Sequence, residues 1–234
     1  MIHFRRIPAR DPRLRRNVYH DDESRRYPWR APAGLTLTST KHTRRIPTLD
    51  QGNLGCCTGD AGIGALGTDP YWATLTGPQQ ALCNQPGAVA LYSAATHLDD
   101  VRGQYPPTDT GSSGLAIAKA AKADGRINGY THTFTLDDAL LALTVTPFIT
   151  GMNWYHAMFT PDPDGRVHPT GSLDGGHEIV ADEIDVENER VWFTQSWGET
   201  WGVVRDDRPG RWYLTFTDYG KLLGQDGDVT VFVP

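Results

Sequence analysis

A change of texture at Pro147 restricts the fold of this 234-residue chain more than any other feature. Before it lie segments with helical spacing. "GAVALYSAATHLDD" (residues 87–100) puts Val89, Tyr92 and Leu98 on one apolar face. "SSGLAIAKAAKADG" has Ser112 or Ser113 to open a helix and Gly125 to close it. "TLDDALLAL" offers Thr135 as an N-cap, with Leu136, Leu140 and Leu143 at helical spacing behind it. After Pro147 the segments read as strands: "PFITGMNWY", "HEIVADEID", "RVWFTQSW", "RWYLTF" and "DVTVFV", parted by turn chemistry such as "VENER". Helices first and strands later predict an α+β fold and argue against a doubly wound sheet. No internal repeat interrupts that order.

At 25.8 kDa the chain is long enough to bury a full core. Its 38% hydrophobic and 21% charged content suits a soluble globular protein. No apolar run approaches the ~20 residues that cross a bilayer, so no membrane partner is expected. The basic start is not followed by an apolar stretch, so no secretory leader is expected. Three cysteines, two of them adjacent, do not make a disulfide framework. The expected location is the reducing cytoplasm, with release by lysis or association with a virion as the routes out. Charge is unevenly spread. Residues 1–46 hold 11 Arg and 1 Lys against four acids, while the whole chain carries −6. This segment shows no sustained period and is expected to be an extended arm lying on the acidic body, or a short prosegment. Its arginines are interrupted by Pro and acids and no binding motif appears, so nucleic acid is not expected as a partner.

"LDQGNLGCCTGD" (residues 49–60) sets Cys56 beside Cys57. Adjacent cysteines lack the spacer that lets two thiolates reach one tetrahedral zinc, and a redox pair is more usually C-x-x-C. A buried structural cysteine and a nucleophile stay open. "CCTGDAGIGAL" could form a short helix, although Gly59, Gly62 and Gly64 each cost about 0.8–1 kcal/mol there relative to Ala. A cysteine in the first turn of such a helix meets unpaired N–H groups and the positive end of the dipole, which favour thiolate. It needs a histidine and a group to orient that histidine. His177, after Gly175 and Gly176 at the head of an expected strand, is the candidate.

These residues resemble the motifs of the papain-like cysteine peptidase family over roughly residues 46–234. The family's Q-G-x-C-G-S-C-W is similar to "QGNLGCCT", with Gln51 at the glutamine and Cys57 at the nucleophile. "GGHEIVADEID" is similar to its histidine block, with His177. "QSWGETWG" resembles N-S-W-G-x-x-W-G and is the most specific of the three. The middle of the chain resembles short prokaryotic and phage members. The resemblance implies a two-lobed α+β fold, with a mainly helical half over 47–145, a β-rich half over 146–234 and the active cleft between them. It implies a thiol peptidase acting on a peptide or protein substrate without metal or cofactor. Cys57 would be the nucleophile and His177 its acid–base partner. Gln51 and the Cys57 N–H would form the oxyanion hole, and Trp197 would shield His177 from water. Departures are Leu54 for a disulfide cysteine, Thr58 for a tryptophan and, above all, Gln195 for the asparagine that orients the histidine. Gln is one methylene longer, so its oxygen must buckle back to serve. Cys56 takes the slot of a serine and is expected to pack. The competing expectations are a cell-wall peptide amidase with the same Cys–His chemistry and a structural or virion component that keeps only the fold.

Other polar clusters read as structure. "PDPDG" (residues 161–165) is expected to be a plain turn and not part of a calcium loop. Asp99–Asp100 and Asp137–Asp138 fall at helix ends. Glu178 adjoins His177, but successive strand residues face opposite ways, so it is expected to be a structural or rim carboxylate. The preferred substrate side chain and the oligomeric state are not specified by the motifs.

Overall fold

The computed structural model describes residues 3–20 and 24–234. The arm begins with a short antiparallel ribbon of β1 (His3–Arg5) and β2 (Val18–His20), and ends in β3 (Thr40–Lys41). Five helices follow: α1 (Cys57–Leu66), α2 (Tyr71–Thr74), α3 (Gly77–Ala81), α4 (Gln85–Thr96) and α5 (Gly114–Ala123). Next come β4 (Gly129–Thr133), α6 (Leu136–Val145), β5 (Phe148–Tyr155), β6 (Leu173–Asp185) and β7 (Arg190–Thr194). The chain closes with β8 (Val203–Arg205), β9 (Arg208–Thr215), α7 (Phe216–Leu223) and β10 (Asp228–Val233). The main sheet runs β4-β10-β5-β6-β7-β9-β8, all antiparallel, with β3 added beside β6.

Local chemistry sets the helix starts. Asn84 accepts from the Gly87 N–H ahead of α4, and Ser113 from the Ala116 N–H ahead of α5. Thr135 accepts from the Asp138 N–H at α6, where Asp137 and Asp138 also meet the positive end of the helix dipole. α7 was not expected from the sequence. It starts directly after β9 with Thr215 as both strand end and cap, and Gly220 weakens its helical signal.

The central sheet is covered on both faces. One core packs α1, α4 and α5, through Leu66, Leu91 and Ile117, against Ile149 and Val180. The other gathers Trp154, Phe193, Trp212 and Tyr219 with Leu140 and Leu143 of α6. β6 is therefore buried almost from end to end. Its polar residues do not face water, as an alternating strand would suggest, but are paired: Asp182 with Arg211 and Thr194, Glu183 with Arg205 and Arg211. β4 and α6, both within the expected helical half, sit with the strands instead, β4 on β10 and α6 in the strand-built core. Among the described residues no helix is long and apolar enough to cross a membrane.

Candidate active site

Three elements converge where α1 meets β6. All ten residues of α1 are buried, and its glycines explain how so poor a helix former survives. A Cβ on Gly59 would lie 2.2 Å from the Ala88 carbonyl oxygen, and one on Gly62 would lie 2.6 Å from Ile117. The helix is held by close packing on α4 and α5, and Cys57 is its first residue. The Cys57 sulfur is wholly buried and faces the backbone N–H groups of Glu178 and Arg15. Burial pushes the thiol up to about 12, although those two N–H groups pull the other way. Cys56 has a separate partner: its Sγ–H donates to Asp60 Oδ2 at 2.9 Å. Burial raises the Cys56 thiol and lifts Asp60 to about 7. The expected packing residue thus carries a buried polar contact as well.

His177 projects from β6 towards Gln195, just beyond β7. Gln195 Oε1 accepts from the Ser196 backbone N–H at 3.0 Å, which fixes that atom as an acceptor. His177 Nε2 lies 2.6 Å from the same oxygen and so carries the proton it donates. The extra methylene of Gln195 is therefore taken up within hydrogen-bonding distance. Nδ1, the other ring nitrogen, is buried and bonds to nothing, the Cys57 thiol included. The ring sits between Trp197 and Trp154, each with its centroid 5.0 Å away. Burial holds His177 down at about 4; the Gln195 hydrogen bond opposes this, the nearby Arg13 charge adds to it and Asp11 offsets part.

Gln51 joins the first and third motifs. Its Oε1 accepts from Ser196 Oγ–H at 2.7 Å and from Trp197 Nε1–H at 3.2 Å. Its Nε2 donates to Leu54 O at 2.7 Å and to Arg13 O at 3.1 Å. Gln51, His177, Gln195, Ser196 and Trp197 thus form one bonded group, and Cys57 approaches it through the amide of Glu178. Among the described residues no group of three or more His, Cys, Asp or Glu is placed to hold a metal ion.

The sequence did not show that the arm itself lies in this cleft. On the sheet side Arg10 N–H donates to Asp174 O at 2.8 Å and Arg16 N–H to Gly176 O at 3.0 Å. On the helical side Asn17 N–H donates to Ser112 O at 2.7 Å, and Arg15 O accepts from Ser112 N–H at 3.3 Å. Leu14 is fully buried in the strand-built core, and the Arg13 guanidinium lies 4.2 Å over the Trp197 ring. Glycines line the path. A Cβ on Gly111 would fall 2.0 Å from Arg15 O, and one on Gly176 would fall 2.6 Å from Arg16 O. Glycine runs flanking two expected elements, "TGSSG" and "DGGH", were the available signal that another backbone comes close there. Glu178, expected to be a structural or rim carboxylate, is not at a rim but fully buried, facing Arg16.

Neither a protein-family model nor a curated protein sequence matches this chain. Solved structures do match in shape. Xylellain, a cysteine protease from Xylella fastidiosa, superposes with a TM-score of 0.71 at 15% identity, over 100% of this chain and 99% of that one. The procathepsin B S9 of Trypanosoma congolense gives 0.66 at 12% identity, over 95% of this chain and 87% of that one. Procathepsin L 3 from the larval midgut of Tenebrio molitor gives 0.61 at 13% identity, over 98% and 76%. The chain has the papain-like α+β fold expected from its motifs.

Proposed function

We propose that this chain is a cysteine peptidase whose own residues 10–17 occupy its cleft and hold it latent. The observation that carries the reading is the seated arm: after a turn over residues 11–14 the chain runs past Cys57, bridged through its main chain to both walls at Arg15 and Arg16, with the Arg13 carbonyl on the Gln51 amide. Likeness to solved cysteine proteases, two of them proforms, supports it.

In the closed chain burial keeps the pair neutral at pH 7, as thiol and imidazole. When the arm leaves, water reaches both groups and the charged pair becomes accessible, helped by the N–H groups at the head of α1. The Cys57 thiolate then attacks the carbonyl carbon of a peptide bond. Gln51 Nε2 and the Cys57 N–H receive the oxyanion, a contribution of about 2.7–4 kcal/mol per donor. His177 gives its Nδ1 proton to the leaving amine, and the C–N bond breaks to leave a thioester on Cys57. Water, deprotonated by His177, releases the acid and restores the thiol. Gln195 keeps the ring oriented through both steps, and Trp197 and Trp154 keep solvent from its edges.

Incubation with denatured casein tests this. Hydrolysis is expected after a lag and is abolished in Cys57→Ala. N-terminal sequencing of the active material is expected to begin beyond residue 17. Fully active protein that still begins at Met1 would contradict the latent arm, and unchanged hydrolysis by Cys57→Ala would contradict the chemistry.

A further inference from the structure

Arg16 is the arm residue that goes deepest. Its side chain is 1% exposed and ends in a cavity whose walls belong to other elements: Gly114 at the start of α5, Gly151 on β5, Glu178 on β6 and Asp228 on β10. The guanidinium bonds to the Asp228 carboxylate, donates to Asp226 O at 2.8 Å and lies 3.7 Å from Glu178 Oε2. Two carboxylates thus surround one cation. Among the described residues neither Glu178 oxygen has a hydrogen-bond partner, although Glu178 is completely buried. The missing side chains are as telling. A Cβ on Gly151 would lie 2.2 Å from Arg16 Nε, and one on Gly114 would lie 2.6 Å from Glu178 Oε1. Space for a long side chain and the negative charge at its end are both built from the rigid walls of the fold.

We propose that this cavity is a recognition pocket for an arginine or lysine side chain of the peptide substrate, and that Arg16 is its tethered occupant. The inference rests on the peptidase reading for the word substrate, and on geometry for the pocket. The main-chain bonds to Gly176 and Ser112 accept any extended peptide; the side-chain cavity between them distinguishes one peptide from another. It opens beside the nucleophile: Arg15, the residue before Arg16, lies so close to Gly55, two residues ahead of Cys57, that a Cβ there would fall 2.2 Å from its Cγ, and its N–H faces the Cys57 sulfur. A cationic side chain pairs with the buried Asp228 carboxylate, while burial and the Asp228 charge push Glu178 well above the usual carboxylate range towards its neutral form. An apolar side chain leaves Asp228 uncompensated, and breaking such a pairing is strongly unfavourable. Discrimination therefore comes mainly from rejection of uncharged side chains.

Binding tests the pocket without turnover. The probe is the acetylated hexapeptide amide of residues 13–18, RLRRNV, compared with a copy carrying citrulline at the fourth position, a neutral isostere of arginine. The protein is the full chain with Leu14→Asp, which puts a charge where an apolar side chain is buried and so displaces the arm, Arg16→Ala, which frees the cavity, and Cys57→Ala, which keeps the peptide whole. The arginine peptide is expected to bind at least tenfold more tightly. Equal affinities, or no binding of either peptide, would overturn the proposal. Should that chain fail to fold with the buried acids unpaired, adding Glu178→Gln and Asp228→Asn to it removes the acidic charge while residue 16 stays Ala and the cavity stays free. That chain is expected to prefer a norleucine peptide over the arginine one, and a retained arginine preference would overturn the proposal. Selective binding by a chain that never hydrolyses peptides would sink the peptidase reading and leave the pocket standing.

Discussion

Gln195 decides how His177 is held, and its place could not be read from the motif. The six-residue spacing from Gln51 to Cys57 and the block around Trp197 were legible, because they are set by local chain geometry. Whether a longer amide would reach the histidine depends on where β7 ends relative to β6, which is a tertiary distance. The structure brings Gln195 Oε1 to 2.6 Å of Nε2. Gln195→Ala is expected to lower kcat about 10- to 150-fold with little change in KM, the worth of one hydrogen bond to a charged partner, about 1.5–3 kcal/mol. Gln195→Asn restores the family residue, yet in this frame it is one methylene short of the ring and should also slow the reaction. Steady-state kinetics of the released enzyme checks both, and a faster Gln195→Asn would contradict the geometry.

The arm is the element whose composition was legible and whose path was not. Eleven arginines against an acidic body announced a docked segment. Nothing in one-dimensional spacing says that Leu14 enters the core or that Arg16 enters a cavity, because both depend on walls contributed by residues more than ninety positions away. Two consequences follow from the placement. Leu14→Asp puts a charge where an apolar side chain is wholly buried, so it is expected to displace the arm and shorten the lag before hydrolysis. Acid should act in the same direction. His177 sits near 4 in the closed chain and returns towards its ordinary 6.5 when uncovered, while Arg13 and Asp11, the arm charges nearest it, leave together. In Cys57→Ala, where no thiol can hand its proton to the ring, the open form therefore binds a proton that the closed form does not. The closed form is favoured fully above about pH 6.5 and loses about 1.4 kcal/mol per pH unit as pH falls towards 4. Release of the arm, read from the quencher exposure of tryptophan fluorescence so that no activity is required, is expected to increase between pH 6.5 and 5 in Cys57→Ala and to lose that dependence when His177→Ala is added.

At the scale of the molecule the α+β order was legible from the break at Pro147, because helices and strands differ in period. The buried charges of β6 were not, since Glu178, Asp182 and Glu183 read as the polar side of an alternating strand. They are compensated instead by Arg16 from the arm and Arg211 from β9. Arg211→Ala, which removes the buried partner of Asp182 and leaves it only Thr194 and, at 3.7 Å, Arg208, is expected to cost about 3–5 kcal/mol in urea unfolding. Iodoacetamide labelling at pH 7 with peptide mapping measures directly whether one cysteine of three is prepared for nucleophilic attack beneath the arm. Slow labelling of Cys57 is expected in the full chain, with at least a tenfold acceleration confined to Cys57 in Leu14→Asp and loss of that acceleration when His177→Ala is added. Equal rates at Cys56, Cys57 and Cys83 in Leu14→Asp, or a Cys57 rate indifferent to His177, would contradict the proposed arrangement.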